Sequence, residues 1–260
     1  MTTPQYEIYA VKYAHHERTA SQNFLGGDPH DGPMPMDYFV WLVRGGGIEL
    51  VVDTGFNAAA AARRERELVR PVDKALALLD VDAASVRDVV ITHLHYDHVG
   101  NFDLFPRATF HLQDLEMQFA TGRYMCHEPM RHAFEVEDVV GMVRNVYAGR
   151  VRYHAGAAQL FPGISLHLVG GHTMGLQVVR VATRRGHVVL ASDASHYYAN
   201  MGEGRPFPIV YSVGDMIEGW DKLRELADSP EHIIPGHDPL VLERYPPPSK
   251  ELTGIVVRLD

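Results

Sequence analysis

A chain of 260 residues, 46 % hydrophobic and 22 % charged, has the make-up of a globular protein with a sizeable core. With 24 Lys and Arg against 33 Asp and Glu, its formal net charge of −9 argues against a general nucleic-acid binder and against docking on an anionic membrane. The lone cysteine, Cys126, rules out an intrachain disulfide and a thiolate-only metal site, and the chain has no run of about 18 uncharged apolar residues to span a bilayer.

Residues Met1–Ala14 alternate polar and apolar positions and lack the continuous apolar stretch of a secretory signal, so the expectation is a soluble, cytoplasmic protein. Tyr6–Tyr13 reads as a strand, followed by a Gly-, Pro-, Asp- and His-rich loop over His15–Pro35. Tyr38–Val43 and Ile48–Val52 are β-rich and flank Arg44-Gly45-Gly46-Gly47, a hairpin signal that leads on to Asp53-Thr54-Gly55. Ala58–Val69 is helical in composition until Pro71, and Asp73–Leu79 is a second helix. Val86–Ile91 is a short apolar strand that runs into a group of histidines.

In the second half, Thr109–Leu112 reads as a strand, with helices at Asp114–Ala120 and Val136–Val146. Ile164–Val169, Leu176–Val181 and His187–Ala191 read as strands, Met216–Leu226 as a helix, and His232–Ile234 as a last short strand. The tail with Pro246-Pro247-Pro248 reads as coil. With no Pro/Ser-rich linker and no short repeat, the order suggests two face-to-face sheets with helices outside, a single domain over residues 1–260.

The chain holds 16 histidines, and their spacing carries the chemistry. Thr92-His93-Leu94-His95-Tyr96-Asp97-His98 follows the strand Val86–Ile91 and packs four candidate ligands into six residues. On a loop there, His93 and His95 can face one way and Asp97 and His98 another, so one segment can serve two adjacent ions. Imidazole and carboxylate suit borderline divalent metals such as zinc. More ligands are needed, and three candidates also follow apolar strands: His172 in Gly170-Gly171-His172, Asp193 in Ser192-Asp193-Ala194, and His237 in Pro235-Gly236-His237. Each triplet alone occurs in many loops; after His93–His98, and in this order, they form a set.

These motifs resemble the metallo-β-lactamase superfamily, and within it the N-acyl-homoserine lactonase family, over nearly the whole chain from Asp53-Thr54-Gly55 to His237. The resemblance implies an α/β fold, the αββα sandwich, with two divalent metal ions, zinc first among them. It implies that His93, His95 and His172 hold the first ion, that Asp97, His98 and His237 hold the second, and that Asp193 bridges. It further implies that a metal-bridged hydroxide opens the ester ring of a small lactone, with Asp97 passing a proton to the leaving alkoxide; a homodimer is a family-based expectation. A histidine at His95 and an acidic bridge at Asp193 set the chain apart from the diiron flavoprotein branch and from true β-lactamases.

Where such lactonases carry a tyrosine three residues past the bridging aspartate, this chain has His196, followed by Tyr197 and Tyr198. His196 is the expected donor to the substrate carbonyl, with Tyr197 and Tyr198 as rivals; Tyr96 is a candidate pocket wall or a plain core aromatic. The patch Met125, Cys126, His127, Met130, His132 and Phe134 reads as packing or a lid, with Cys126 a buried small hydrophobe. The loop with His15, His16 and His30 is a candidate cap. The alternatives are a glyoxalase-II-like thioesterase using the same ligands, or a metal-bearing scaffold without activity.

Overall fold

The computed structural model describes residues 4–260. An eight-stranded sheet runs in the order Val256–Arg258, Glu7–His16, Met36–Gly45, Ile48–Val52, Asp88–Val90, Thr109–Gln113, Val151–His154, with the short strand Glu67–Leu68 paired to Glu7–His16 outside that path. Its pairs are antiparallel up to Ile48–Val52 and parallel from there to Val151–His154. A five-stranded sheet runs Ile233–Pro235, Gly186–Ser192, Gln177–Thr183, Ile164–Leu168, Ala158–Phe161, and its first pair is parallel. The hairpin expected at Arg44–Gly47 closes with Gly45 opposite Ile48 and Gly46 at φ +56°, a conformation glycine adopts without a Cβ clash.

Side-chain alternation along the strands builds the layers. Ile8, Trp41, Val43, Leu50 and Val90 on one face of the large sheet meet Leu166, Val179, Val181, Val188 and Leu190 of the small one, making the buried inter-sheet core. The alternate residues Tyr9, Val11, Leu42 and Val51 pack outward under the helices Ala58–Arg63, Val72–Ala77 and Val136–Tyr147. On the far side, Val178, Val189 and Ala191 are covered by Met216, Trp220 and Leu223, one stripe of the helix Val213–Leu226. Helix, sheet, sheet, helix is the αββα order expected from the sequence.

Several elements differ from the sequence expectation. The helix begun at Ala58 stops at Arg63 rather than Val69, because Glu65 turns to φ +55° and the chain then pairs Glu67 and Leu68 with His15 and Ala14. The tail is not coil: Leu240–Arg244 is helical, and Val256–Arg258 adds an edge strand to Tyr9–Val11. His95 caps a one-turn helix, Tyr96–Val99, where a loop was expected. Cys126 is exposed rather than buried, at the end of a 3-10 turn, Arg123–Cys126, that contributes nothing to the core.

One buried carboxylate ties the two halves together beside the histidine motif. Glu116, in the first turn of the helix Asp114–Ala120, accepts from Leu94 N at 2.8 Å, Thr173 Oγ1 at 2.6 Å and Gly175 N at 3.1 Å. Burial pushes its pKa up to about 7 despite those donors. Glu116→Ala orphans three buried donors and is expected to cost about 3 kcal/mol or more in urea unfolding, with Glu116→Gln costing less because one acceptor survives. The folded pKa lies above the ordinary 4.5, so the folded state holds a proton that the unfolded state releases. The stability gap between wild type and Glu116→Gln should therefore shrink as pH rises from 4.5 to about 7.

Candidate metal centre

Strand direction places the candidate ligands. Ile48–Val52 and Asp88–Val90 run parallel, as do Gly186–Ser192 and Ile233–Pro235, so their carboxyl ends emerge together and deliver Asp53, His93, Asp193 and His237 to one edge. His172 arrives from the turn after Ile164–Leu168. His93 and His95 precede the short helix Tyr96–Val99 while Asp97 and His98 lie on it, which splits the motif into two directions.

The backbone around this edge is held tightly. Asp53 and Ser192 sit at φ +62° and +46°, conformations uncommon for residues with a Cβ. Asp53 is fixed by Thr92, whose backbone N and Oγ1 each donate to it at 2.8 Å, and Thr92 Oγ1 lies 2.9 Å from Ser192 Oγ. Gly236 must lack a side chain: a Cβ there would stand 2.7 Å from Asp193 Oδ1 and 2.8 Å from the Ser192 carbonyl carbon.

The imidazoles converge on Asp193. His95 Nδ1 lies 3.0 Å from His93 Nε2 and 2.9 Å from His172 Nε2, and Asp193 Oδ2 stands 3.2 Å from His172 Nε2. The other carboxylate oxygen, Oδ1, is 3.4 Å from His98 Nε2 and 3.0 Å from His237 Nε2, while Asp97 Oδ2 is 3.6 and 3.7 Å from those same nitrogens. Outer partners aim the rings: His98 Nδ1 meets Asp53 Oδ2 at 2.7 Å, His172 Nδ1 donates to Ile209 O at 2.8 Å, and His237 Nδ1 to Asp37 O at 2.9 Å.

This donor set fits divalent cations. Burial holds His93 and His95 well below the ordinary 6.5 and brings His172 to about 3, so these three rings are neutral and turn lone pairs towards one another. Among the described residues, the buried His98 Nε2 has no hydrogen-bond partner, an expensive state for such an atom unless an ion meets it. Three groups of side chains present ligand atoms close enough to hold an ion: His93, His95, His172 with Asp193; Asp97, His98, His237; and Asp193, His196, His237.

His196 thus joins the cluster, with Nε2 3.0 Å from Asp193 Oδ2 and its ring stacked on Phe207 at 3.6 Å. Tyr96 lines the same cleft and stacks on Phe56. Tyr197 and Tyr198 do not reach it: the Tyr197 hydroxyl donates to the carbonyls of Met34 and Pro35, and Tyr198 lies under the Arg244 guanidinium. Of the candidate lid, His132 lines the cleft and Phe134 packs edge-on against His95. His15 is tied to Asp37 at 2.6 Å, away from the cluster. The sequence reading missed Arg18, Tyr38, Arg64 and Arg66 on the cleft wall, because no local spacing marks residues that meet only in the fold.

The metallo-beta-lactamase superfamily description matches residues 34–237. An N-acyl homoserine lactonase AttM of Rhizobium johnstonii is 29 % identical over 170 residues, 62 % of this chain and 61 % of the relative. The match therefore spans less than two thirds of that relative's length. A lactonase of the same name from Rhizobium radiobacter is 26 % identical over 236 residues, covering 82 % of this chain and 85 % of its own. A crystal structure of a quorum-quenching N-acyl homoserine lactone lactonase superposes with a TM-score of 0.74 at 20 % identity, covering 91 % of this chain and 93 % of that one. AidC, a dizinc quorum-quenching lactonase with bound product, gives 0.71 at 16 % identity, over 91 % and 90 % of the chains. Likenesses at that identity speak for the fold alone, and with the match over residues 34–237 they lead to one conclusion: the chain belongs to the metallo-beta-lactamase superfamily.

Proposed function

We propose that this protein is a metal-dependent hydrolase that opens the ester ring of a small lactone, an N-acyl-homoserine lactone or a related catabolic lactone. His93, His95 and His172 would hold one divalent ion, Asp97, His98 and His237 a second, with Asp193 between them and zinc the first choice of metal. The observation that carries this reading is the Asp193 carboxylate, whose Oδ2 faces one imidazole group while Oδ1 faces the other. The lactonase names of its relatives support the reaction class.

Divalent ions in such a site supply Lewis acidity, polarising an ester carbonyl and lowering the pKa of water towards about 7. The protein's own groups do the rest. Asp53 and the carbonyls of Ile209 and Asp37 fix the imidazole tautomers. Burial brings His196 to about 4, so its ring is neutral, and it lines the cleft where Tyr197 and Tyr198 do not, which supports it over them as the side chain beside the substrate carbonyl; its Nε2 would have to turn from Asp193 to donate there. Asp97, which lines the cleft, would pass a proton to the leaving alkoxide, and Tyr96 with Tyr38 walls the cleft.

The chain would act without nucleic-acid or membrane partners. Its acidic balance, a poor match to nucleic acid and to an anionic membrane surface, supports both points. A cytoplasmic location, a homodimer and a single domain over residues 1–260 complete the reading. A glyoxalase-II-like thioesterase is the second reading, favoured by the arginines on the cleft wall, and a comparison of thioester with lactone rates separates the two.

Base uptake in a pH-stat with zinc-loaded protein and a panel of γ- and δ-lactones tests the proposal directly. Ring opening is expected; no turnover of any lactone at full metal occupancy overturns it. Asp193→Asn and His172→Ala should each lose about 100-fold or more in kcat/KM, together with bound metal and thermal stability. Metal binding should also release protons. Burial disfavours a charged His98, yet Asp193, Asp97 and Asp53 hold its pKa well above 6.5, and Asp193 and Asp97 likewise raise His237 against its burial. In metal-free protein these carboxylates favour the protonated rings, and a cation must displace those protons. Zinc titrations in buffers of different ionisation enthalpy should show release of about one proton per displaced ring and tighter binding as pH rises from about 6 to about 8.

A further inference from the structure

Three guanidiniums line the cleft that holds the imidazole cluster, those of Arg18, Arg64 and Arg66, in a protein whose net charge is −9. Arg64 is accounted for: its Nε donates to Glu135 at 2.8 Å and its Nη2 to the carbonyls of His132 and Phe134. Arg18 and Arg66 differ in that their partners are neutral: Arg18 Nη2 donates to Gln22 O at 2.5 Å. Among the described residues, neither has a carboxylate within the 4.0 Å of an ion pair.

Both are nevertheless held in place. Arg18 Nε donates to Asn23 Oδ1 at 2.6 Å, and Asn23, itself buried, donates to Met34 O at 2.8 Å. The Arg18 guanidinium also lies 5.3 Å from the centre of the Phe207 ring, the ring on which His196 stacks. Arg66 Nε donates to Tyr96 OH at 3.2 Å, and its Nη1 donates to Arg64 O. Half-buried cations without a counter-charge are costly, and a fold that keeps two of them fixed on one wall has them ready for an anion. Burial first, and then the charges of Arg66 and Arg18, push the neighbouring His16 down to about 4.

We propose that Arg18 and Arg66 form an anion subsite and that the substrate is a lactone which itself carries a carboxylate. This deepens the lactonase reading and rests on it. Water adds across the ring ester: the acyl carbon gains hydroxyl and becomes a second carboxylate, the ring oxygen takes a proton and leaves as an alcohol, and one proton goes to solvent. Ions held by the imidazole cluster would supply the Lewis acid for the ring ester, and the guanidiniums of Arg18 and Arg66 on the same wall would take the carboxylate already present, a group that arginine pairs better than lysine. A neutral N-acyl homoserine lactone would leave both guanidiniums half-buried and unpaired.

The test compares a γ-butyrolactone bearing a ring carboxylate with its neutral methylamide, on zinc-loaded enzyme. The acid should be preferred roughly tenfold or more in kcat/KM. Arg18→Met and Arg66→Met should each lower kcat/KM for the acid about 10- to 100-fold more than for the amide, mainly through KM. Arg18→Lys and Arg66→Lys should fall between, and they carry the comparison if a Met variant fails to fold. A binding readout without turnover uses glutarate and its monoamide: calorimetry should show glutarate binding more tightly, with the difference lost in Arg66→Met. Lactone opening with no acid preference, or equal loss for acid and amide in the Met variants, overturns the subsite. No lactone turnover, with the Arg66-dependent preference for glutarate intact, overturns the lactonase reading and leaves the subsite standing.

Discussion

Five imidazole rings crowd one buried carboxylate, and the rest of the site is arranged around that fact. Asp193 lies within 3.8 Å of His93, 3.4 Å of His98, 3.2 Å of His172, and 3.0 Å of both His196 and His237. Burial alone would push its proton affinity up, yet His196, His237, His98 and His172 hold it well below the usual carboxylate range. The carboxylate therefore stays ionised, and its two oxygens are committed to opposite sides. That commitment explains the cramped backbone nearby: Gly236 has no room for a Cβ, and Ser192 accepts a left-handed φ so that Asp193 can turn inward. Trp220 Nε1, donating to Ala194 O at 2.7 Å, clamps the far side of the same turn.

Much of this was legible in the sequence, for a physical reason. His93, His95, Asp97 and His98 fall within one turn of chain, so their convergence needs no knowledge of tertiary structure. His172, Asp193 and His237 could be added because each follows an apolar strand, and parallel strands gather their carboxyl ends at one edge. The strands Val151–His154 and Ala158–Phe161 were not legible: with Arg152, His154 and Gln159 among their few residues, no apolar run announces them, and pairing with a neighbour decides their state. Val256–Arg258 is the same case, a strand made by the edge that receives it.

The side chains that the sequence concealed act through distance rather than spacing. Glu116 joins Leu94 to Thr173 and Gly175, positions separated by roughly 80 residues of chain, and nothing in Asp114–Ala120 distinguishes it from a solvated helix acid. Tyr197 and Tyr198 failed in the opposite sense. They stand close in sequence to Asp193, but Tyr197 caps the helix Tyr198–Glu203, and the turn into that helix carries both hydroxyls away from the cleft. Proximity along the chain left Tyr197 and Tyr198 as rivals of His196; the local backbone brings His196 alone of the three to the cleft wall.

The early end of the helix at Arg63 bears on the electrostatics of the cleft. Had it continued to Val69, Arg64 and Arg66 would stand about 200° apart around the helix axis, and one of them would face away. The break at Glu65 instead feeds an extended segment into the pairing of Glu67 with His15, which brings both arginines to the wall where Arg18 arrives from the opposite loop. Arg64 then stacks over Tyr96 at 4.0 Å while Arg66 Nε holds the Tyr96 hydroxyl, so one aromatic residue of the metal-binding motif is gripped from its face and from its edge. A residue inside the histidine motif thus takes its orientation from the positive wall, which couples the chemistry of the cluster to the charges that face it. The cleft is built as one unit: an anionic carboxylate ringed by imidazoles, and facing it the Arg18 and Arg66 guanidiniums held by neutral partners beside an Arg64 tied to Glu135.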